Sequence, residues 1–281
     1  MSGSSRVSVR HLFGAAVAVV AAFSLAACGD SDDDAQSLSF SISGDGKAAR
    51  FSGPESAEPG EAEITFSNET KDEAEMQLIR VEGDHSAEEV VEGLEAASSG
   101  KPFPPWFHAG GGVSSAQAGE TKSVTQVLEP GTYYTTNTEA DTLDPKTMIG
   151  IEVSGEESDE DLEGGATVTA AEYRFETEDL TTGENEILFQ NAGAQPHHLL
   201  IAPLKGDGTV KDVEAAIKEE KGPPPFDEKE LQGTAVIEGG ESQLVEIDLD
   251  QGRYVMLCFI SDRQGGPPHA LKGMVDEVEV D

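Results

Sequence analysis

Apolar residues recur at every second position in several short stretches bounded by glycine. Ile64 and Phe66 do so, as do Ile187 and Phe189, and Val245, Ile247 and Leu249. That period of two is the signature of half-buried strands. Tyr254 to Phe259 is apolar on both faces, which predicts a central strand covered on each side. The period changes at two places. Ser86-Ala87-Glu88-Glu89 has the form of a capping box ahead of Val90, Val91 and Leu94, and Thr209-Val210-Lys211-Asp212 precedes Val213, Ala216 and Ile217. Both predict short helices set among strands.

The pattern occurs twice. Gly60–Asn68 (GEAEITFSN) matches Gly183–Asn191 (GENEILFQN) at an offset of 123, and the register runs without a gap to Leu94 and Ile217. A second block, Gly119 to Tyr133, matches Gly240 to Tyr254 at an offset of 121. The shared positions are turn glycines and apolar strand sites, which predicts an internal duplication. The segment between the copies is rich in Glu and Asp and repels itself. The expectation is an all-β chain of two tandem Greek-key β-sandwich domains, residues 37–154 and 167–281. An acidic linker spans 155–166, and each domain carries one short helical insertion.

Composition adds a location and excludes some partners. Arg6 and Arg10 precede an apolar run from Leu12 to Ala27, too short for a spanning helix and suited to a signal peptide over residues 1–27. The run ends Leu25-Ala26-Ala27-Cys28-Gly29, which resembles the bacterial lipoprotein box. That resemblance implies cleavage before Cys28, lipid on its sulfur, and a membrane-anchored protein outside the cytoplasmic membrane or in the cell envelope. The alternative is an ordinary signal cleavage site with Cys28 incidental. Residues 28–36 read as an acidic tether. Residues 1–27 carry two basic and no acidic side chains, so the rest of the chain sets 16 Lys and Arg against 55 Asp and Glu, a formal charge of −39. Such a field repels nucleic acid and reads first as a solvated surface suited to a salty medium, the alternative being attraction of a basic redox or envelope protein partner or of free cations.

The chain has only two cysteines, so lipidation of Cys28 leaves Cys258 without a disulfide partner. Cys258 is then either a small buried hydrophobe or a metal ligand. His269 and Met274 follow it, and Pro196-His197-His198 offers further imidazoles. A thiolate, two imidazoles and a weak thioether suit an electron-transfer copper centre. Asn191-Ala192-Gly193-Ala194-Gln195-Pro196-His197-His198 resembles the ligand segment of plastocyanin-like cupredoxins. Leu249 to Cys258 is similar to their Gly-x-Tyr-x-x-x-Cys strand, and Gly265 to Met274 to their ligand loop. The resemblance implies one type 1 copper held by His197, Cys258, His269 and Met274, with His198 on the opposite face of its strand. Ten residues separate Cys258 from His269, a longer insert than small blue copper proteins use.

In the first copy Ala74 stands where His197 would be and Asn137 where Cys258 would be. No His-x-His pair, nucleophile elbow or metalloprotease helix occurs, so a carrier is expected rather than an enzyme. The alternative is a metal-free tandem β-sandwich that binds another envelope component.

Overall fold

The computed structural model describes residues 35–158, 160–219 and 223–281. The signal-peptide and lipidation readings, Cys28 included, fall outside the described residues. No described helix is long and apolar enough to cross a membrane.

The first half contains strands β1 (Gln36–Ser43), β2 (Arg50–Ser52), β3 (Ser56–Ala57), β4 (Gly60–Asn68) and β5 (Ala74–Val81), helix α1 (Ala87–Ser98), then β6 (Phe107–Ala116), β7 (Thr121–Leu128), β8 (Gly131–Thr136) and β9 (Gly150–Val153). The second half follows with β10 (Ala166–Ala171), β11 (Arg174–Glu178), β12 (Gly183–Asn191), β13 (Leu200–Pro203), α2 (Val210–Glu219), β14 (Gln232–Gly233), β15 (Ser242–Leu249), β16 (Gly252–Leu257) and β17 (Val275–Val280). Each half is a two-layer sandwich. In the first, a sheet ordered β2-β1-β4-β7 faces one ordered β3-β9-β8-β5-β6. In the second, β11-β10-β12-β15 faces β14-β13-β16-β17.

The alternating pattern accounts for the packing. Ala62, Ile64 and Phe66 on β4 are fully buried, as are Ile187 and Phe189 on β12. Each large side chain removed from water contributes about 1.5–3 kcal/mol. Strand β16 is fully covered from Tyr254 to Leu257 and lies between β13 and β17, the central position its two apolar faces predict. The capping box of α1 is complete: Ser86 Oγ accepts the Glu89 N–H and the Glu89 carboxylate accepts the Ser86 N–H. Helix α1 buries Val90 against Ile79, Val81 and Phe107. Helix α2 buries Val213 against Ala202, Val255, Leu257 and Ala270. Gly119 and Gly240, matched in the repeat, both take positive φ (80° and 90°), a backbone that disfavours any side chain.

Two features lie beyond the sequence pattern. Most pairings are antiparallel, but β1 runs parallel to β4, β10 parallel to β12 and β3 parallel to β9. The two sandwiches also share a sheet, because β7 pairs with β15 through Val124↔Val245, Thr125↔Leu244 and Gln126↔Gln243. The result is one eight-stranded layer running through both halves. Three buried glutamines line the seam. Gln77 donates to the Gly111 and Val236 carbonyls at 2.9 Å each and accepts the Val236 N–H at 2.8 Å. Gln126 accepts from Gly112 and donates to Gly110, while Gln243 donates to the Gly112 carbonyl. Paired in this way, Gln77 and Gln126 escape most of the penalty of burying polar groups, whereas the buried Gln243 Oε1 has no partner among the described residues.

Candidate metal centre

The backbone around three side chains is fixed before any metal is considered. His197 lies between β12 and β13, where Asn191 organises the turn: its Nδ2 donates to the Gln195 and Ile237 carbonyls at 2.8 and 3.2 Å, and its Oδ1 accepts the Gly193 N–H. His197 and Ile237 exchange two backbone hydrogen bonds of 3.0 Å. Cys258 follows β16 directly, and its carbonyl accepts the Ala270 N–H at 2.7 Å. His269 opens a 3-10 turn, His269–Lys272, and donates its N–H to Ile260 at 2.8 Å. Gly273 ends that turn at φ +100°, and Met274 then donates to the His269 carbonyl at 3.0 Å.

This scaffold brings His197, Cys258 and His269 together. Cys258 Sγ lies 3.6 Å from His197 Nδ1 and 3.5 Å from His269 Nδ1, and the two Nδ1 atoms are 3.0 Å apart. All three residues are fully buried, and their ligand atoms fall within 4.8 Å of one another. Met274 is also fully buried, in the same core cluster as Cys258. His198 turns away from this set: its Nε2 accepts the Phe259 N–H at 2.9 Å.

Electrostatics set the protonation states. Burial pushes the Cys258 thiol up to about 12, against weaker opposing help from backbone hydrogen bonds at His198 and Ile260. Burial, then the neighbouring His269, lowers His197 to about 4. Burial also lowers His269, although Asp262 opposes it. At neutral pH without metal the triad therefore holds a thiol and two neutral imidazoles. His269 Nε2 lies 3.0 Å from Asp262 Oδ1, so Nε2 carries the proton and the Nδ1 lone pair faces the cysteine. Asp262 also accepts from Tyr173 Oη–H at 2.9 Å and pairs with Lys272.

These donors fit one soft or borderline metal ion. Sulfur and two imidazole nitrogens converge in a fully buried core, and no carboxylate oxygen among the described residues joins them. A cation would stabilise the thiolate that burial otherwise disfavours. Residue pattern pointed to His197, Cys258, His269 and Met274. It gave no sign of Asp262 or Tyr173, whose contacts with the His269 turn depend on how the Phe259–Pro268 insert folds back.

No protein-family model matches the chain, and no curated protein matches it. Among solved structures, reduced auracyanin from the photosynthetic bacterium Roseiflexus castenholzii is similar at 22% identity, covering 41% of this chain and 94% of auracyanin, with a TM-score of 0.28. Copper nitrite reductase from Nitrosomonas europaea is similar at 14% identity, covering 88% and 94%, with a TM-score of 0.25. Blue copper oxidase from the same organism is similar at 13% identity, covering 88% and 86%, with a TM-score of 0.23. With identities and TM-scores this low, the functional reading rests on the side chains of this chain.

Proposed function

We propose that this chain is an exported, lipid-anchored copper-binding protein whose second half holds a single type 1 copper and relays one electron at a time, without being an enzyme. The observation that carries this reading is the convergence of Cys258 Sγ with the Nδ1 atoms of His197 and His269 in a fully buried pocket. When bound, copper supplies a one-electron couple. The protein supplies the rest. Cys258 gives up its proton on loading and offers a thiolate, while His197 and His269 present neutral nitrogens. Met274, buried in the same core cluster as Cys258, would offer a weak thioether. Asn191 and the His197–Ile237 bridge hold the upstream ligand still, so little rearrangement accompanies a change of charge.

The surface near the site suits a docking partner. Phe259 and Leu271, next in sequence to Cys258 and close to His269, are 39% and 46% exposed. These exposed side chains offer apolar contacts, and the net acidic charge of the chain favours a partner with basic residues. The lipoprotein-box resemblance at Cys28 supports attachment to the outer face of the cytoplasmic membrane or within the envelope.

The test is the visible spectrum of the purified full chain with Cu(II), beside a Cys258→Ser control. An intense thiolate-to-copper band, absent from the control and reversibly bleached by a one-electron reductant, is the expected outcome. A colourless protein with no stoichiometric copper overturns the carrier reading and leaves a tandem β-sandwich binding module.

A further inference from the structure

A ten-residue insert between two ligands is an entropic burden unless something seats it. Few of its anchors lie inside the insert: Gly265 N–H bonds Asp262 O at 2.7 Å and Ser261 Oγ–H bonds Gly266 O at 3.0 Å. Others reach the first half, on the connection that follows α1. Phe103 N–H donates to the Arg263 carbonyl at 2.8 Å, and Gly266 N–H donates to the Gly100 carbonyl at 3.1 Å. The approach is backbone on backbone: a Cβ at Gly265 would lie 2.5 Å from the Gly100 oxygen.

Arg263 completes the seat. Its Nη2–H donates to the Phe107 carbonyl at 2.9 Å, and its Nη1–H meets Glu238 Oε2 at 2.8 Å. Glu238 itself bonds back to the first half, where Oε2 accepts the Ala109 N–H and its own N–H donates to the Ala109 carbonyl, both at 3.1 Å. The Arg263 N–H, meanwhile, donates to Gln195 Oε1 at 2.8 Å, two residues before His197. The residue before Arg263 is Asp262, whose carboxylate fixes the Nε2–H of His269. Two adjacent residues thus face opposite ways, one into the first half and one onto a ligand ring.

We infer that the first half, which lacks the ligand set, serves as the seat of the second half's ligand loop, and that Arg263 is the positioning residue transmitting this support through Asp262 to His269. The inference rests on the copper reading for its consequence at the metal but not for the seating itself. It also gives the long insert a purpose: on the way from Cys258 to His269, Arg263 and Gly266 both bond the first half. The forked guanidinium suits the task, since it serves the Glu238 carboxylate and a carbonyl at once.

The test compares Arg263→Ala and Arg263→Lys in the full chain, first without metal and then with Cu(II). Without metal, amide hydrogen exchange across Phe259–Pro268 is expected to rise about tenfold in Arg263→Ala, with the strand cores unchanged. Nitrogen NMR of His269 should pass from a single Nε2–H tautomer to an averaged signal. Arg263→Lys keeps the Glu238 pair, loses the bond to Phe107 and should fall between. With copper, the thiolate band should shift or split and copper release should quicken about tenfold. Loop exchange and His269 signals matching wild type in both variants overturn the inference. A loosened loop in a chain that binds no copper upholds the seating and rejects the copper reading instead. If Arg263→Ala loses strand-core protection as well, Arg263→Lys alone decides, by the same loop and tautomer signals.

Discussion

Ala74 begins β5 in the first half, and Asn137 follows β8; at the matching points of the second half stand His197 and Cys258. The surrounding framework is alike in detail. Ala74 pairs across the sheet with Ala116, and His197 bridges to Ile237, the residue matching Ala116 at the 121-residue offset. Asn68 donates to the Asp72 and Ala116 carbonyls as Asn191 donates to Gln195 and Ile237. Tyr133 bonds the carbonyl four residues back, at Glu129, as Tyr254 does at Asp250. At the divergent end Asn137 Oδ1 accepts the Glu75 N–H, whereas in the second half His198 accepts the Phe259 N–H. A side chain ties the same two segments in each half, from opposite partners. The first half closes without these side chains, so the Cys–His cluster is an addition to a fold that already stands. The first half, relieved of ligands, is free to seat the loop of the second.

The largest effect should come from breaking that difference. Cys258→Ser is expected to abolish the thiolate band and weaken copper binding by several orders of magnitude. Asn137→Cys in the first half should add neither colour nor a second copper, as a copper titration by absorbance would record. Next come the two matched asparagines. Asn68→Ala and Asn191→Ala each remove two side-chain bonds to carbonyls that brace a turn and should cost about 1–3 kcal/mol in urea unfolding. Only Asn191→Ala should also alter the copper spectrum, because it alone braces a ligand.

A third comparison concerns the glutamates that close matching turns. Gln117 donates its N–H to Glu120 and Glu238 donates its N–H to Glu241, but Glu241 faces the seam near Arg80. Burial raises the Glu241 carboxyl from 4.5 to about 8, against the opposing Glu238 N–H and Arg80. A folded-state value above the unfolded one means that the native state holds the proton more tightly. Stability should therefore decline as pH rises from 4.5 through about 8. Glu241→Gln should flatten the decline and stabilise the chain at pH 8 by about 1 kcal/mol, a modest figure because the side chain stays 22% exposed. Urea melts at pH 5 and pH 8 measure it. The smallest effects should be Tyr133→Phe and Tyr254→Phe, each about 1 kcal/mol by calorimetry, with Tyr133→Phe the larger because Tyr133 Oη also accepts the Glu129 N–H.

Local periodicity made much of the fold legible. Alternation at Ile64 and Phe66 and at Ile187 and Phe189 marked β4 and β12, and the Ser86–Glu89 pattern marked the start of α1. The gapless offset predicted that elements recur in the same order. The convergence of His197, Cys258 and His269 was legible because Cys258 and His269 lie within one short stretch and a Pro-His segment precedes a strand. What stayed hidden depends on segments far apart in the chain. Nothing in Gln126 or Gln243 signals that β7 and β15 pair. Nothing in Asp262-Arg263 signals that one side chain will meet His269 and the other Phe107, more than 150 residues upstream.

X-ray absorption at the copper edge, on the full chain loaded to saturation, tests the central claim most directly. One copper per chain with one short sulfur neighbour and two imidazole nitrogens is the predicted result. Copper surrounded only by nitrogen and oxygen, or two coppers per chain, would contradict it.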